Sequence, residues 1–187
     1  MTTTIEGEVA RGDLVVLREK RISDAGDDYR WRTDNELARF DAARPFAAAF
    51  EDYMALYRDE LTYPSPYRRS LALEDASGRH IGNVMYYNID ATRREAELGI
   101  TIGEREFWGR GYGTDAVRAL VRHILRVTGF RRVYLKTLDW NVRAQRAFEK
   151  AGFQVCGRSR RGGNVFVVME FLSSWANAND GNGKHRI

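Results

Sequence analysis

The sequence predicts one mixed α/β domain (α+β), with a mostly antiparallel sheet of about seven strands and helices on both faces. Two features support this prediction. Three strand-like segments within residues 70–102 are separated only by short turns, which is typical of an antiparallel meander. A strand at 95–102, a glycine-rich turn, a helix and a strand at 132–138 then follow one another, and such a connection joins parallel strands. The sheet should therefore contain one parallel β-α-β crossover.

The first part of the chain is expected to hold one strand and two helices. Leu14–Leu17 is a short apolar run of strand composition. Ser23 stands where a helix N-cap would, and this first helix should run to about Arg32, with the acids at 24, 27 and 28 complementing its dipole. The pattern breaks at Pro45. A second helix is predicted from the helical spacing of Phe50, Tyr53, Met54, Tyr57 and Leu61.

The middle of the chain supplies the meander and the crossover. Segments 70–74 and 81–87 predict a hairpin, and the run 95–102 is a third strand. Apolar residues then recur on one face of a helix predicted from Asp115 to Val127, which Gly129 ends as a C-terminal cap. The segment 132–138 has strong strand composition and should lie parallel to the third strand.

The last part of the chain is expected to form a helix and a closing hairpin. Asn141 is the expected N-cap of a helix over 142–150, with Gly152 just beyond its end. Segments 153–158 and 164–172 predict the hairpin. We expect one domain over residues 1–172, followed by a flexible tail over 173–187 that is rich in Asn, Gly and Asp.

The overall composition argues against several classes of function. Basic residues number 30 and acidic residues 26, and the two are interleaved, whereas a nucleic-acid binder concentrates its basic residues on one stripe. The single cysteine excludes an internal disulfide, and the three histidines lack the spacing of a metal site. Residues 1–8 lack the basic and apolar regions of a signal peptide, and no apolar run is long enough to span a bilayer. We expect a cytoplasmic protein that binds neither nucleic acid nor a membrane.

The stretch Trp108–Thr114 is the strongest chemical signal in the chain. Its glycines, Gly109, Gly111 and Gly113, let the backbone take positive φ and approach a ligand without a side chain in the way. The predicted helix that follows directs free N–H groups and the positive end of its dipole toward this turn. A strand, a glycine-rich turn and a helix N-terminus together predict an anion site, usually for phosphate.

Two motifs in this order resemble those of the GNAT N-acetyltransferase superfamily. Trp108-Gly-Arg-Gly-Tyr-Gly113 occupies the place of the family's motif A, Arg/Gln-x-x-Gly-x-Gly/Ala, which binds the pyrophosphate of acetyl-CoA. Trp108 in place of Gln or Arg, and the later run NVRAQRAFEKAGF over 141–153, are similar to the RimJ/RimL-type branch. The resemblance covers roughly residues 12 to 172. It implies a GNAT fold with the parallel crossover at the cofactor site.

The resemblance implies acetyl-CoA as the acetyl donor and indicates which residues would bind it. Backbone N–H groups of the turn would face the two phosphates, and the strand before it would pair with the pantetheine amides. Asn141 would touch the cofactor while capping its helix, and Lys150 is a further candidate for a phosphate. The implied donor-binding residues are Ile100, Thr101, Ile102, Gly109, Arg110, Gly111, Tyr112, Gly113, Thr114, Asn141, Arg146 and Phe148.

Acetylation of an amine needs a base, because only the neutral amine attacks. An alkyl amine with a pKa of about 10.4 is about 0.04% neutral at pH 7, which adds roughly 4.6 kcal/mol to the barrier, against about 1.4 kcal/mol for an N-terminal amine. Glu97 is the best candidate for the base, since family members often place a catalytic Glu on this strand. Glu95 shares its face. The alternative for Glu97 is an ordinary surface carboxylate.

The acid that would protonate the departing thiolate is not evident in the sequence. Many GNAT enzymes use a Tyr on the last helix, where this chain has Phe148. RimJ/RimL-like members sometimes use a Ser near the start of that helix, where Ala144 stands. Tyr134 on the neighbouring strand is the remaining candidate. Otherwise either solvent protonates the thiolate, or catalysis rests mainly on orientation.

The resemblance implies an acetyl-CoA-dependent N-acetyltransferase that acts on a primary amine by direct attack in a ternary complex. The acceptor stays open between a protein N-terminal α-amine and a small amine or polyamine. The alternatives are an antibiotic-modifying acetyltransferase and a non-catalytic acyl-CoA-binding sensor. Homodimers are common in the family, and the sequence does not reveal one. An amine-binding mouth, or ordinary packing, would account for six residues before position 68: Asp34, Glu36, Tyr53, Tyr57, Tyr63 and Tyr67.

Overall fold

Eight strands form one sheet in the computed structural model, which describes residues 7–175. The strands are β1 (Glu8–Arg11), β2 (Val15–Glu19), β3 (Arg68–Asp75), β4 (His80–Asp90), β5 (Glu95–Ile102), β6 (Arg132–Leu138), β7 (Gln154–Arg161) and β8 (Asn164–Leu172). The α-helices are α1 (Ala25–Arg32), α2 (Asn35–Phe40), α3 (Phe50–Thr62), α4 (Tyr112–Thr128) and α5 (Val142–Lys150). The strand order is β1-β2-β3-β4-β5-β6-β8-β7.

The sheet is antiparallel except at one pair, β5 and β6, which confirms the predicted crossover. The bounds of β5, β6 and α5 are those that the sequence predicts. Two short elements were not predicted. One is β1, whose four residues include two charged ones and carry no apolar run, and the other is α2.

One face of the sheet packs against α4 and α5 and holds the main core. Alternate residues of neighbouring strands, such as Leu17, Leu71 and Leu135, point to this side and are almost fully buried against Leu120 and Ile124 of α4. Burying a side chain of this size contributes about 1.5–3 kcal/mol. The apolar stripe of α4 therefore fixes the helix on the sheet, and with it the position of the turn at its N-terminus.

The opposite face carries α1, α2 and α3, and part of its interior is ionic. Arg18 on β2 is 2% exposed and donates to Asp24 at 2.8 Å and to Glu74 on β3. This pairing corrects the predicted start of the first helix. Ser23 is not an N-cap, because a 3-10 turn over Ile22–Asp24 precedes α1 and the Asp24 carboxylate also accepts from the Arg21 N–H at 2.7 Å. Asp24 is thus a buried partner of Arg18 more than a complement to the helix dipole.

Helix α2 ends in a tight turn in which an alanine, Ala42, has a left-handed backbone conformation. Asp34 caps its N-terminus by accepting from two backbone N–H groups at 2.9 Å. At the other end, the Ala43 N–H donates to the Ala38 carbonyl at 2.9 Å and the Ala42 N–H to the Arg39 carbonyl at 3.2 Å, which is the Schellman pattern. Ala42 adopts a φ of 51°, where glycine is the usual residue. Asp41 is the C-cap, and this turn fixes its place.

The C-terminal part follows the prediction up to the end of β8. Residues 173–175 then form one helical turn, with the Trp175 ring 6.2 Å from that of Phe171. The predicted tail thus begins with an ordered turn, and its remaining residues lie outside the described part of the chain. Among residues 7–175, no helix combines the length and apolarity that a membrane crossing requires.

Candidate active site

A cleft opens in the middle of the sheet because β5 and β6 pair over only three rows. The pairs are Glu95 with Arg132, Ala96 with Val133 and Glu97 with Tyr134. Beyond them the two strands diverge, and residues 98–102 and 135–138 line opposite walls of a cleft of about 1640 Å³. Backbone groups on the two facing edges lack strand partners there, and buried polar groups of this kind need a hydrogen-bonding partner. Ile100, Thr101 and Ile102 all lie on this wall, where the sequence places the donor's amides.

The glycine-rich turn forms one end of the cleft. Gly109 and Gly111 have φ values of 73° and 93°, and both line the cleft with Gly113 and Thr114. Helix α4 begins at Tyr112, so the N–H groups of its first turn have no carbonyl one turn earlier and point toward the cleft's end. Gly113 corrects one expectation, since it lies inside α4 and has no positive φ. Its contribution is the missing side chain, which leaves open space.

The side chains of Arg110 and Tyr112 are not among those that line the cleft. Arg110 donates to the Glu106 carbonyl at 3.2 Å, and the Tyr112 ring packs on Phe107 at 4.8 Å. Any role of these two residues in donor binding would therefore come from their backbone. Four basic residues of the two helices line the cleft instead: Arg118, Arg143, Arg146 and Lys150. Arg118 also donates to the Lys150 carbonyl.

Asn141 and Phe148 of α5 line the cleft together with the turn and the strand edge. Asn141 is 9% exposed, and its side-chain oxygen accepts from the Ala144 N–H at 3.2 Å, which confirms the predicted N-cap. The amide nitrogen of the same side chain is left for other partners. Phe148 is buried and lines the cleft, and its ring has no hydroxyl to act as an acid. The structure thus brings together, around one cleft, the turn, the strand edge and α5.

Two aromatic rings and one arginine form a bridge across the cleft near the turn. The Arg143 guanidinium of α5 stacks 3.9 Å from the centre of the Trp108 ring and 5.0 Å from that of Phe40 on α2. Trp108 is oriented by a 2.8 Å hydrogen bond from its Nε1 to the Ile102 carbonyl. Burial lowers the pKa of Arg143, though an arginine remains charged under all ordinary conditions. The bridge links α2 to α5 and holds the Trp108 ring against both.

Glu97 lies in the cleft wall and is not a surface carboxylate. It is 4% exposed, and its Oε2 atom accepts from Asn88 at 2.9 Å and from the Lys136 ammonium at 3.1 Å. Asn88, Glu97 and Lys136 all line the cleft. Glu95, two residues earlier on the same face, pairs with Arg132 at 2.8 Å and is not part of the wall. The two glutamates thus share a face but differ in surroundings.

Two tyrosines approach Glu97 from the neighbouring strands. Tyr87 on β4 and Tyr134 on β6 are its register partners, and both hydroxyls interact with its carboxylate. Burial, and then the Glu97 charge, raise the pKa of each hydroxyl, so both stay protonated and can donate. Tyr87 lines the cleft, whereas Tyr134 lies outside its wall. The sequence singled out Tyr134 and missed Tyr87, although the antiparallel register of the meander would have placed Tyr87 opposite Glu97.

The predicted amine-binding mouth does not form. Tyr53 and Tyr57 are buried in a small second core with Ala25, and Tyr63 and Tyr67 are highly exposed away from the cleft. Asp34 and Glu36 bind Arg105, each at 2.8 Å. The α2 side of the cleft is lined instead by five consecutive or near-consecutive residues: Leu37, Phe40, Asp41, Ala42 and Ala43. Sequence reasoning missed them because it did not predict α2.

Curated relatives match about half of this chain. A probable spermine N(1)-acetyltransferase of Bacillus subtilis subsp. natto is 28% identical over 98 residues, which is 50% of this chain and 64% of the relative. An uncharacterized protein of Methanocaldococcus jannaschii, MJ1062, is 31% identical over 100 residues, or 52% of this chain and 20% of that protein. The chain thus spans less than two thirds of the length of these relatives.

Solved structures share the fold over most of the chain. The Vibrio cholerae spermidine N-acetyltransferase, solved with CoA and spermine, superposes with a TM-score of 0.75 at 21% identity and covers 86% of this chain and 96% of its own. The aminoglycoside acetyltransferase AAC(6')-Ib, solved with coenzyme A, gives 0.74 at 22% identity over 89% and 99% of the two chains. The resemblance to the RimJ/RimL branch is not confirmed by these neighbours.

A family model settles the wider affiliation. The model described as an acetyltransferase (GNAT) domain matches residues 15–154, from the first buried strand to the start of β7. The match includes the divergent strands, the glycine-rich turn and all of α5. The chain therefore belongs to the GNAT acetyltransferase domain family.

Proposed function

We propose that the chain is an acetyl-CoA-dependent N-acetyltransferase that acts on a primary amine of a small molecule. The observation that carries the proposal is the buried carboxylate of Glu97, which lies in the same cleft as an open strand edge and a helix N-terminus. Support comes from relatives named as spermine acetyltransferases and from neighbours solved with spermine or kanamycin, all of them molecules with several amines. An antibiotic amine is one member of this class of acceptors, and a protein N-terminus is the competing acceptor.

In this proposal the donor binds mostly to backbone. The N–H groups from Arg110 to Thr114 receive the pyrophosphate at the positive end of α4. The edge of β5 at residues 100–102 pairs with the pantetheine amides, which fills the gap between the diverging strands. Asn141 contributes its free amide nitrogen, and Arg146 and Phe148 line the channel. Fixing the thioester against the wall in this way supplies the orientation on which the reaction depends.

The chemistry assigned to the acceptor side starts at Glu97. The carboxylate takes a proton from the substrate ammonium, directly or through one water, and the neutral nitrogen attacks the thioester carbon. Backbone N–H groups of β5 stabilise the oxyanion. The carbon–sulfur bond then breaks. The nitrogen of the tetrahedral intermediate gives its second proton through water to the departing thiolate, since Phe148 cannot supply one, and the proton on Glu97 is released to solvent. Tyr134 is assigned a positioning role, because its hydroxyl interacts with the Glu97 carboxylate from outside the cleft wall.

A thiol-release assay over a panel of amines tests the proposal. Purified protein, acetyl-CoA and single amines (an alkyl polyamine, an aminoglycoside and a peptide with a free N-terminus) are mixed, and the acetylated product is identified by mass. We expect thiol release with at least one small amine and a mass increase of one acetyl group. Calorimetric binding of acetyl-CoA without turnover on any amine would instead identify a sensor.

A further inference from the structure

The α2 side of the cleft contains a carboxylate that no protein group neutralises. Asp41 lines the cleft beside Leu37 and Phe40, and its side chain is accessible to solvent there. Within residues 7–175, no hydrogen bond or ion pair engages this carboxylate. The walls of the cleft partly desolvate this carboxylate and raise its pKa, and the charge of Arg32 partly offsets that rise. The Arg32 guanidinium does not pair with it and stacks on the rings of Phe46 and Tyr53, at 5.5 and 5.9 Å.

The backbone holds Asp41 in this position. Its N–H donates to the carbonyls of Leu37 and Ala38 at 3.2 Å, and the following residue, Ala42, completes the turn in a left-handed conformation. Such a conformation costs an alanine about 1–2 kcal/mol, a cost that glycine would avoid. The carboxylate is thus fixed at the cleft by a strained turn while remaining unpaired, a combination that is common at binding sites.

Asp41 and Glu97 lie on the same side of the sheet but are distinct sites. Each is close enough to Tyr87 to raise the pKa of its hydroxyl, and Tyr87 lines the cleft with both. Their surroundings differ, because Glu97 is matched by Lys136 whereas Asp41 has no matching cation. The acceptor side therefore offers two carboxylates. Glu97 is the one assigned to the reacting amine, and Asp41 is an unpaired negative charge at a separate position.

We propose that Asp41 binds a second ammonium group of the acceptor, so that the enzyme prefers substrates with two or more amines over monoamines of equal length. The inference rests on the proposed function, since Glu97 is assigned to the reacting amine. A diamine would place one nitrogen near Glu97 and the other at Asp41. A monoamine would put a methyl group beside the charge of Asp41 and gain nothing there, because a methyl group offers a carboxylate neither a hydrogen bond nor an opposite charge. Asp41 is thus a specificity residue and not a base.

Calorimetry separates this inference from the chemistry, since it requires no turnover. The protein is saturated with CoA, which carries no acetyl group to transfer, and titrated with 1,4-diaminobutane, its longer homologues and the matching 1-aminoalkanes. We expect the best diamine to bind at least about tenfold more tightly than its monoamine, and Asp41→Asn to remove this difference while leaving the monoamine unchanged. Asp41→Glu should restore part of it.

Asp59→Asn is the matched control, because it removes an exposed carboxylate of α3 that does not line the cleft. Equal affinity of wild type for diamines and monoamines would overturn the inference, and so would an unchanged preference in Asp41→Asn. Diamine binding without thiol release in the acetyl-CoA assay would refute the proposed function and leave the inference standing. Turnover without a preference for diamines would support the proposed function and overturn the inference.

The pH dependence of binding in wild type covers the case in which Asp41→Asn does not fold. Partial desolvation by the walls of the cleft raises the pKa of Asp41 to about 6, so the diamine preference should fall as the pH drops through that value, and monoamine binding should not. A preference that stays constant across this range overturns the inference. The charged and titratable groups facing this part of the cleft are Arg32, Tyr87, Glu97, Lys136, Arg143 and Arg160.

Discussion

The two sides of the cleft, which the proposed function assigns to the donor and to the acceptor, are built from different parts of the chain. The donor side consists mainly of backbone: a left-handed glycine turn, the first turn of α4 and the unpaired edge of β5. The acceptor side consists of side chains brought from separate elements, chiefly Asp41, Tyr87, Glu97 and Lys136. A site built from backbone binds a chemical group that many donor molecules share. The side chains of the acceptor side, in contrast, can be substituted without a change of fold. Binding of the donor should therefore depend on the backbone conformation of the turn. The choice of acceptor should depend on which charged side chains line the other side.

The largest expected effect is on the acceptor side. Glu97→Gln keeps the size of the side chain and removes its basicity, so kcat should fall by about 10²–10³ while the affinity for acetyl-CoA stays the same. Steady-state thiol release and calorimetry measure the two quantities. Glu95→Gln is the control, since this residue shares the face and lies outside the cleft wall. Full activity of Glu97→Gln would remove Glu97 from the role of base.

Gly111→Ala tests the donor side through conformation alone. The φ of 93° disfavours a side chain by about 1–2 kcal/mol, and relief of that strain would shift the first turn of α4 away from the diphosphate. We expect an acetyl-CoA affinity about 10²-fold weaker, since small displacements of positioning groups have effects of this size. Gly78→Ala has a similar φ of 84° in the distant β3–β4 turn, so it should lose comparable stability and keep donor affinity. Equal donor affinity in both variants would contradict a backbone-built site.

Tyr134→Phe should have a smaller effect. The hydroxyl is one of several polar groups around the Glu97 carboxylate, so its loss should lower kcat by about 3- to 10-fold and leave the KM for acetyl-CoA unchanged. A loss as large as that of Glu97→Gln would instead assign Tyr134 to proton transfer. Tyr87→Phe, on the cleft side of the same carboxylate, shows whether the two hydroxyls contribute alike.

The smallest effect concerns stability at Asp41. Its pKa in the folded state, about 6, lies above the ordinary value of 3.8, so the fold disfavours the ionised form. That destabilisation is present above about pH 6 and disappears as the pH falls through this value toward 4. Asp41→Asn should raise the free energy of unfolding at about pH 7.5 by less than about 1 kcal/mol, because solvent in the cleft screens the charge. Urea unfolding at both pH values measures the gain, and an equal gain at about pH 4 would contradict its electrostatic origin.

The contrast between the two sides also explains how far the sequence could be read. Strong local sequence patterns predict β5, β6 and α5. The glycine turn between β5 and β6 indicates the proposed donor side from the sequence alone. Helix α2 has only six residues, and its cap at Asp34 is a local signal too weak to outweigh the short length. Ser23 has the composition of an N-cap, yet tertiary pairing of Asp24 with Arg18 moves the start of α1. The polar side chains of the acceptor side come from four separate elements, so their meeting depends on the packed structure.

The gap between β5 and β6 has one further consequence, for the lifetime of the protein. With only three paired rows, the centre of the sheet is held together less by its own hydrogen bonds than the flanking strands are. A ligand that fills the gap binds only the folded chain, and at 100 times its dissociation constant it adds about 2.7 kcal/mol to stability. Because proteases cleave opened chains, degradation should slow when the donor is abundant. The supply of the co-substrate would then regulate the amount of enzyme as well as its rate.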